Sequence, residues 1–210
     1  MKKLLSIFGL MMILSIAVTA CGSNTTAVEE APAVEVEPVV MDAEPQSDAP
    51  MAEEPAAASF PAWYSAPMTD VNTGRVFTIE ENLGKVILVE TMAAWCSKCF
   101  SQQSEVADLH DLLGERSDFV SIGIDVDPRE DVPLLTSYVR KNGFDWLYVV
   151  ASKEMVDEIS ALYGAQYLNP PSTPMLIIDR SGNPHLLKFG IKGAGELLES
   201  ITPFLDENVS

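Results

Sequence analysis

Residues 86–100 read V-I-L-V-E-T-M-A-A-W-C-S-K-C-F, an apolar run that ends in a Cys-x-x-Cys at the start of a helical pattern. Few stretches constrain a chain more. A buried strand must feed directly into a helix, and the first cysteine falls where unpaired backbone N–H groups and the helix dipole favour a thiolate. The second cysteine lies three residues on, on the same helical face, within reach of a small disulfide ring. Cys96 and Cys99 therefore read as a redox-active dithiol, and the rest of the chain is to be understood around them.

The third cysteine, Cys21, belongs to a different feature. Lys2 and Lys3 precede an almost unbroken apolar stretch over residues 4–18, followed by small residues, which is the pattern of a secretory signal. Val18-Thr19-Ala20-Cys21 resembles a bacterial lipobox, whose cysteine is lipid-modified and begins the mature chain. On this reading residues 1–20 are a lipoprotein signal peptide, Cys21 carries the membrane anchor, and the dithiol works outside the cytoplasm.

Residues 21–60 contain nine acids, no Lys or Arg, several prolines and no sustained periodicity. Such a segment cannot bury enough apolar surface to offset its ordering entropy, so it reads as a disordered, self-repelling tether. Residues 61–210 form the domain, which keeps 22 acids against 11 bases. A net charge of −18 leaves no basic footprint for nucleic acid and no electrostatic grip on anionic lipid.

Within the domain the pattern alternates. Strands are expected over residues 76–79, 86–92, 119–126, 146–150, 175–179 and 185–189. Helices are expected from residue 96 or 97 to 113 and over 132–141, 153–163 and 194–205, with Val106, Leu109, Leu112 and Leu113 as the apolar stripe of the first and Gly114 as its stop. Arg180-Ser181-Gly182-Asn183 signals a hairpin between the last two strands. Early alternation and a late hairpin predict an α/β domain with a central mixed β-sheet flanked by helices.

Trp95-Cys96-Ser97-Lys98-Cys99 after a buried strand resembles the active site of the thioredoxin superfamily, and the element order over residues 76–205 matches its fold. A helix and strand between Asp131 and Val150 resemble the αβ insertion of membrane-tethered thiol–disulfide reductases similar to TlpA and ResA. The resemblance implies a thioredoxin-like fold and exchange with protein thiols and disulfides, with reduction the expected direction. It also implies a membrane or periplasmic electron donor and no cofactor. Residue by residue, it implies that Thr173-Pro174 is a cis-proline loop that pairs with the substrate chain. Glu90, six residues before Cys96, stands where the family keeps a buried acid that takes the proton of the second cysteine. Trp95 shapes the substrate surface.

Some residues depart from the family pattern. Ser97 and Lys98 separate the cysteines, and Lys98 sets a cation beside the Cys96 thiolate, so both are expected to tune the redox potential. Thr91 and Met92 replace aromatics, and the lysine that often accompanies the buried acid is replaced by Ser121. The rival readings are an oxidant of secreted thiols and a copper-binding chaperone, since two thiolates could take a soft metal. His110 and His185 read as surface residues rather than extra ligands, and Asp125 with Asp127 as a turn rather than a metal site.

Overall fold

The structure, a computed structural model, describes residues 60–207. The expected signal peptide, Cys21 and most of the tether lie outside the described residues. A two-stranded antiparallel hairpin, β1 (Met68–Thr69) and β2 (Val76–Phe77), precedes the main sheet. The lead-in strand expected over residues 76–79 is thus shorter, and its partner β1 carried too little pattern to be seen in the sequence.

The main sheet is built from β3 (Val86–Met92), β4 (Phe119–Asp125), β5 (Leu147–Val150), β6 (Met175–Ile178) and β7 (Pro184–Leu186), in the order β5-β4-β3-β6-β7. β3 runs through the centre, parallel to β4 and antiparallel to β6. All seven of its residues are buried, as a strand covered on both faces requires. β6 and β7 form the expected late hairpin, and β5 extends the sheet in parallel at the β4 edge. The fold is thioredoxin-like: a mixed sheet between two helical layers.

The helices are α1 (Ser97–Leu113), α2 (Val132–Asn142), α3 (Lys153–Tyr163) and α4 (Ala194–Leu205). Each begins at or within a residue of its sequence-predicted start, because the local signals are strong. Asp131 caps α2 by accepting the Leu134 N–H at 2.9 Å, and Ser152 caps α3 by accepting the Met155 N–H. Gly143 ends α2 at φ 73°, a left-handed turn that suits glycine.

The two-residue period of β3 sorts its side chains onto two cores. Val86, Leu88 and Met92 pack with Val106 and Leu109 of α1, Leu135 and Val139 of α2, and Leu197 and Ile201 of α4. Ile87 and Val89 face Met155 and Ile159 of α3, with Trp63 and Tyr64 from a short 3-10 turn. Glu90 shares the parity of Leu88 and Met92, so it points into the layer that holds the dithiol. Leu112, expected on the buried stripe of α1, is instead exposed, and the buried face is completed by Gln102 and Gln103.

Candidate active site

Cys96 is the N-cap of α1, and its sulfur accepts the Cys99 N–H at 3.2 Å. A sulfur in this position receives a backbone donor at the positive end of a 17-residue helix, and no acid sits in the first turn to oppose it. The two cysteines are unbonded thiols. Cys99 is buried, and its Sγ lies 3.3 Å from the Pro170 carbonyl. Burial pushes the Cys99 thiol far up, reinforced by its contact with the Cys96 sulfur and by the negative charge of Glu90. This thiol keeps its proton until a base removes it.

Glu90 is 4% exposed and lies behind the pair. Burial raises its carboxyl to about 8, against the pull of the Lys192 charge and the Gln103 amide. The amide stands beside the carboxyl but short of hydrogen-bond geometry, since Glu90 Oε1 and Gln103 Nε2 both lack a partner. The carbonyl oxygen of Gln103 is fixed from the other side by the hydroxyls of Tyr138, at 3.0 Å, and Tyr148, at 3.1 Å. Tyr148 can lie there because Gly123, the β4 partner of Glu90, has no side chain: a Cβ would meet the ring at 2.5 Å.

The cation missing from Ser121 enters from elsewhere. Ser121 pairs with Leu88 rather than Glu90, and its hydroxyl is bonded to His110 at 2.8 Å. His110 is accordingly half-buried between Phe119 and Trp146, which corrects its reading as a surface residue. The charge that acts on Glu90 belongs to Lys192, in the loop before α4 and itself only 4% exposed. No local periodicity marks Lys192, between Ile191 and Gly193, as buried, so nothing in the sequence could have singled it out.

The loop before Cys96 is gripped by the segment that follows β4. Ala94 donates its N–H to Glu130 Oε2 at 2.7 Å, and the Trp95 indole donates to Asp127 Oδ2 at 2.5 Å. The Arg129 guanidinium holds the Asp127 carboxyl well below the usual carboxylate range. Asp125, fully buried beneath them, is raised to about 8 by burial and by its contact with Glu130. Asp127-Pro128 thus makes a turn, as expected, but one whose acids position the dithiol loop.

Trp95 and Phe100 are exposed. With Cys96, Ser97, Tyr138 and Lys141 they line an open groove of about 300 Å³ between the start of α1 and α2. Lys98 is exposed at the helix start. On the other side of the pair, a 3-10 turn (Pro170–Ser172) brings Pro170 to Cys99. Thr173 and Pro174 follow it and are buried. The Thr173–Pro174 bond is trans, contrary to the cis bond expected. The chain turns instead through the left-handed backbone of Thr173 (φ 45°), which presents the Thr173 carbonyl to Lys192 at 3.0 Å.

No protein-family model matches the chain, and no curated protein does. Solved structures do. DsbF of MTB, determined in mixed oxidised and reduced forms, superposes with a TM-score of 0.52 at 18% identity, over 70% of this chain and 99% of its own. A thiol:disulfide interchange protein of the thioredoxin family from Chlorobium tepidum gives 0.51 at 21%, over 71% and 98%. A secreted thiol-disulfide isomerase from Corynebacterium glutamicum gives 0.55 at 18%, over 68% and 84%. At these identities the likeness is one of fold, and it agrees with the thioredoxin-like topology described above.

Proposed function

We propose that the chain is a thiol–disulfide oxidoreductase acting on protein disulfides outside the cytoplasm, tethered through a lipid on Cys21 and working as a reductase in the manner of TlpA and ResA. One observation carries the reading. A sulfur at a helix N-terminus sits beside a second thiol that is buried, strongly protonated and backed by a buried carboxyl. A structural disulfide needs none of these, and a three-residue loop would add little stability.

The chemistry follows from the geometry. The Cys96 thiolate attacks one sulfur of a substrate disulfide; that S–S bond breaks, a mixed disulfide forms, and the departing sulfur takes up a proton from solvent. Ionised Glu90 then accepts the Cys99 proton, and Cys99 attacks the Cys96 sulfur. The substrate's second sulfur leaves as a thiolate that is protonated from solvent, Glu90 returns its proton to solvent, and the Cys96–Cys99 disulfide remains. Two electrons have passed to the substrate, so a dithiol donor must restore the pair. Trp95 and the groove toward α2 would hold the substrate on one side, and the loop at Thr173 and Pro174 on the other. Ser97 and Lys98, exposed between the cysteines, would tune the potential. The domain taken to do this is residues 61–210, held off the membrane by residues 21–60.

The test is the redox potential of the pair in glutathione buffers, with Cys99→Ser as a trap for the mixed disulfide. A potential near −270 mV, roughly that of thioredoxin, supports a reductase; one near −120 mV makes the chain an oxidant. Failure to form the Cys96–Cys99 disulfide at any poise removes the proposal.

A further inference from the structure

Lys192 spends a buried charge on backbone. Its Nζ donates to the carbonyls of Thr173 at 3.0 Å, Lys188 at 3.1 Å and Gly190, while its own N–H and C=O pair with the two ends of the Gln102 amide at 2.8 and 3.0 Å. The ammonium thus ties the loop that runs into β6 to the loop that leaves β7, and Gln102 ties both to the dithiol helix. A buried ammonium held only by neutral carbonyls is costly to keep charged unless a carboxylate is near. Glu90 lies against that same loop: it pairs with Met175 of β6, and its neighbour Thr91 donates its N–H to the Pro174 carbonyl at 3.2 Å. No direct ion pair joins Lys192 to Glu90, whose charge nevertheless acts on the ammonium, as does that of Glu196 of α4.

We propose that Lys192 is a positioning residue that couples the protonation of Glu90 to the Thr173–Pro174 loop. The inference rests on the oxidoreductase reading and deepens it. While Glu90 is ionised, the ammonium is shared between carboxylate and carbonyls. When Glu90 takes the Cys99 proton, that counter-charge disappears and the carbonyls of Thr173, Lys188 and Gly190 hold the ammonium alone. The loop beside Cys99 therefore changes its hold at the moment the mixed disulfide is resolved, which is when the substrate must leave. Burial lowers the Lys192 ammonium and Glu90 pulls it back, as the same coupling requires. Among the described residues, the other titratable groups facing Glu90 are Cys99 of α1, Tyr138 of α2 and Tyr148 of β5, none of them a cation.

The experiment is an NMR pH titration of the full chain in detergent micelles, reading the Glu90 side-chain carbon and the amides of residues 172–174 and 188–191. In wild type the loop amides should titrate with the Glu90 midpoint. In Lys192→Met the midpoint should rise by about one unit, equivalent to roughly tenfold less carboxylate at pH 7, and the amides should stop following it. In Glu90→Gln, which keeps Lys192 and the fold, the amides should lose the step. An unmoved Glu90 midpoint in Lys192→Met, or a loop step that survives Glu90→Gln, overturns the inference; if Lys192→Met does not fold, Glu90→Gln alone decides. None of these readouts needs disulfide exchange, so an inactive dithiol, seen by Cys99→Ser trapping, would sink the oxidoreductase reading separately.

Discussion

The Trp95 indole reaches across from the dithiol loop to Asp127 just beyond β4, so the most exposed aromatic at the candidate site is also a tethered one. Replacing Asp127 by Ala should free the ring: Trp95 fluorescence anisotropy should fall, and disulfide exchange should slow several-fold. Because Arg129 and the indole both hold the carboxyl ionised, its pKa lies below the unfolded value. The anchor is therefore fully present above the ordinary carboxylate range and fades only as pH falls well below it. Anisotropy that drops already around pH 5 would contradict this.

Glu90 acts in the opposite sense. Its carboxyl is raised to about 8 in the folded chain, so the unfolded chain ionises first as pH rises. Its contribution to stability is fully present below about 4.5, declines between there and about 8, and is constant above. Glu90→Gln should match wild type in urea melts at pH 4 and exceed it at pH 8, by something on the order of a few kcal/mol. Asp125 imposes a similar slope that this variant leaves in place. The same substitution should slow resolution of the mixed disulfide by about a hundredfold or more, if Glu90 is the base. Equal rates at pH 7 would remove it from that role.

Gly123 is required by its neighbour's ring. A methyl there would drive Tyr148 off its place against the sheet and away from Gln103. Gly123→Ala should cost about 1–3 kcal/mol of stability, as overpacked cores do. It should also change the Glu90 titration, which an overpacked site elsewhere in the sheet would not.

The α2 cap offers a milder perturbation. Asp131→Ala should remove about 1 kcal/mol, and hydrogen exchange should show the loss in the first turn of α2. That turn carries Leu134 and leads to Tyr138, so peptide disulfides should show a raised KM with little change in kcat. The reverse pattern would mean that α2 does not face the substrate.

The sequence was legible where a local rule decides the outcome. The position of β3 follows from the apolar run over residues 86–89 that feeds the Cys-x-x-Cys, and the start of α1 from the cysteine that caps it. Gly114, Gly143 and Gly164 end helices because each lies in a positive-φ position that glycine adopts without strain. The buried location of Glu90 agrees with what the resemblance implied. What stayed hidden was settled between distant segments. Lys192 becomes buried only when the loop before α4 meets α1, 90 residues away along the chain. Gln102 and Gln103 look like the polar side of a helix until the carbonyls, amides and hydroxyls they satisfy are in place. The trans bond at Pro174 was misjudged because the resemblance spoke to the loop's position, whereas the turn is made by Thr173.

Tyr138 belongs to both halves of the candidate site: its ring lines the groove beside Cys96, while its hydroxyl holds the Gln103 amide that borders Glu90. A small molecule wedged against that ring would therefore do more than block access. It would also disturb the Gln103 amide that stands beside the carboxyl, and so act as an inhibitor whose potency varies with pH.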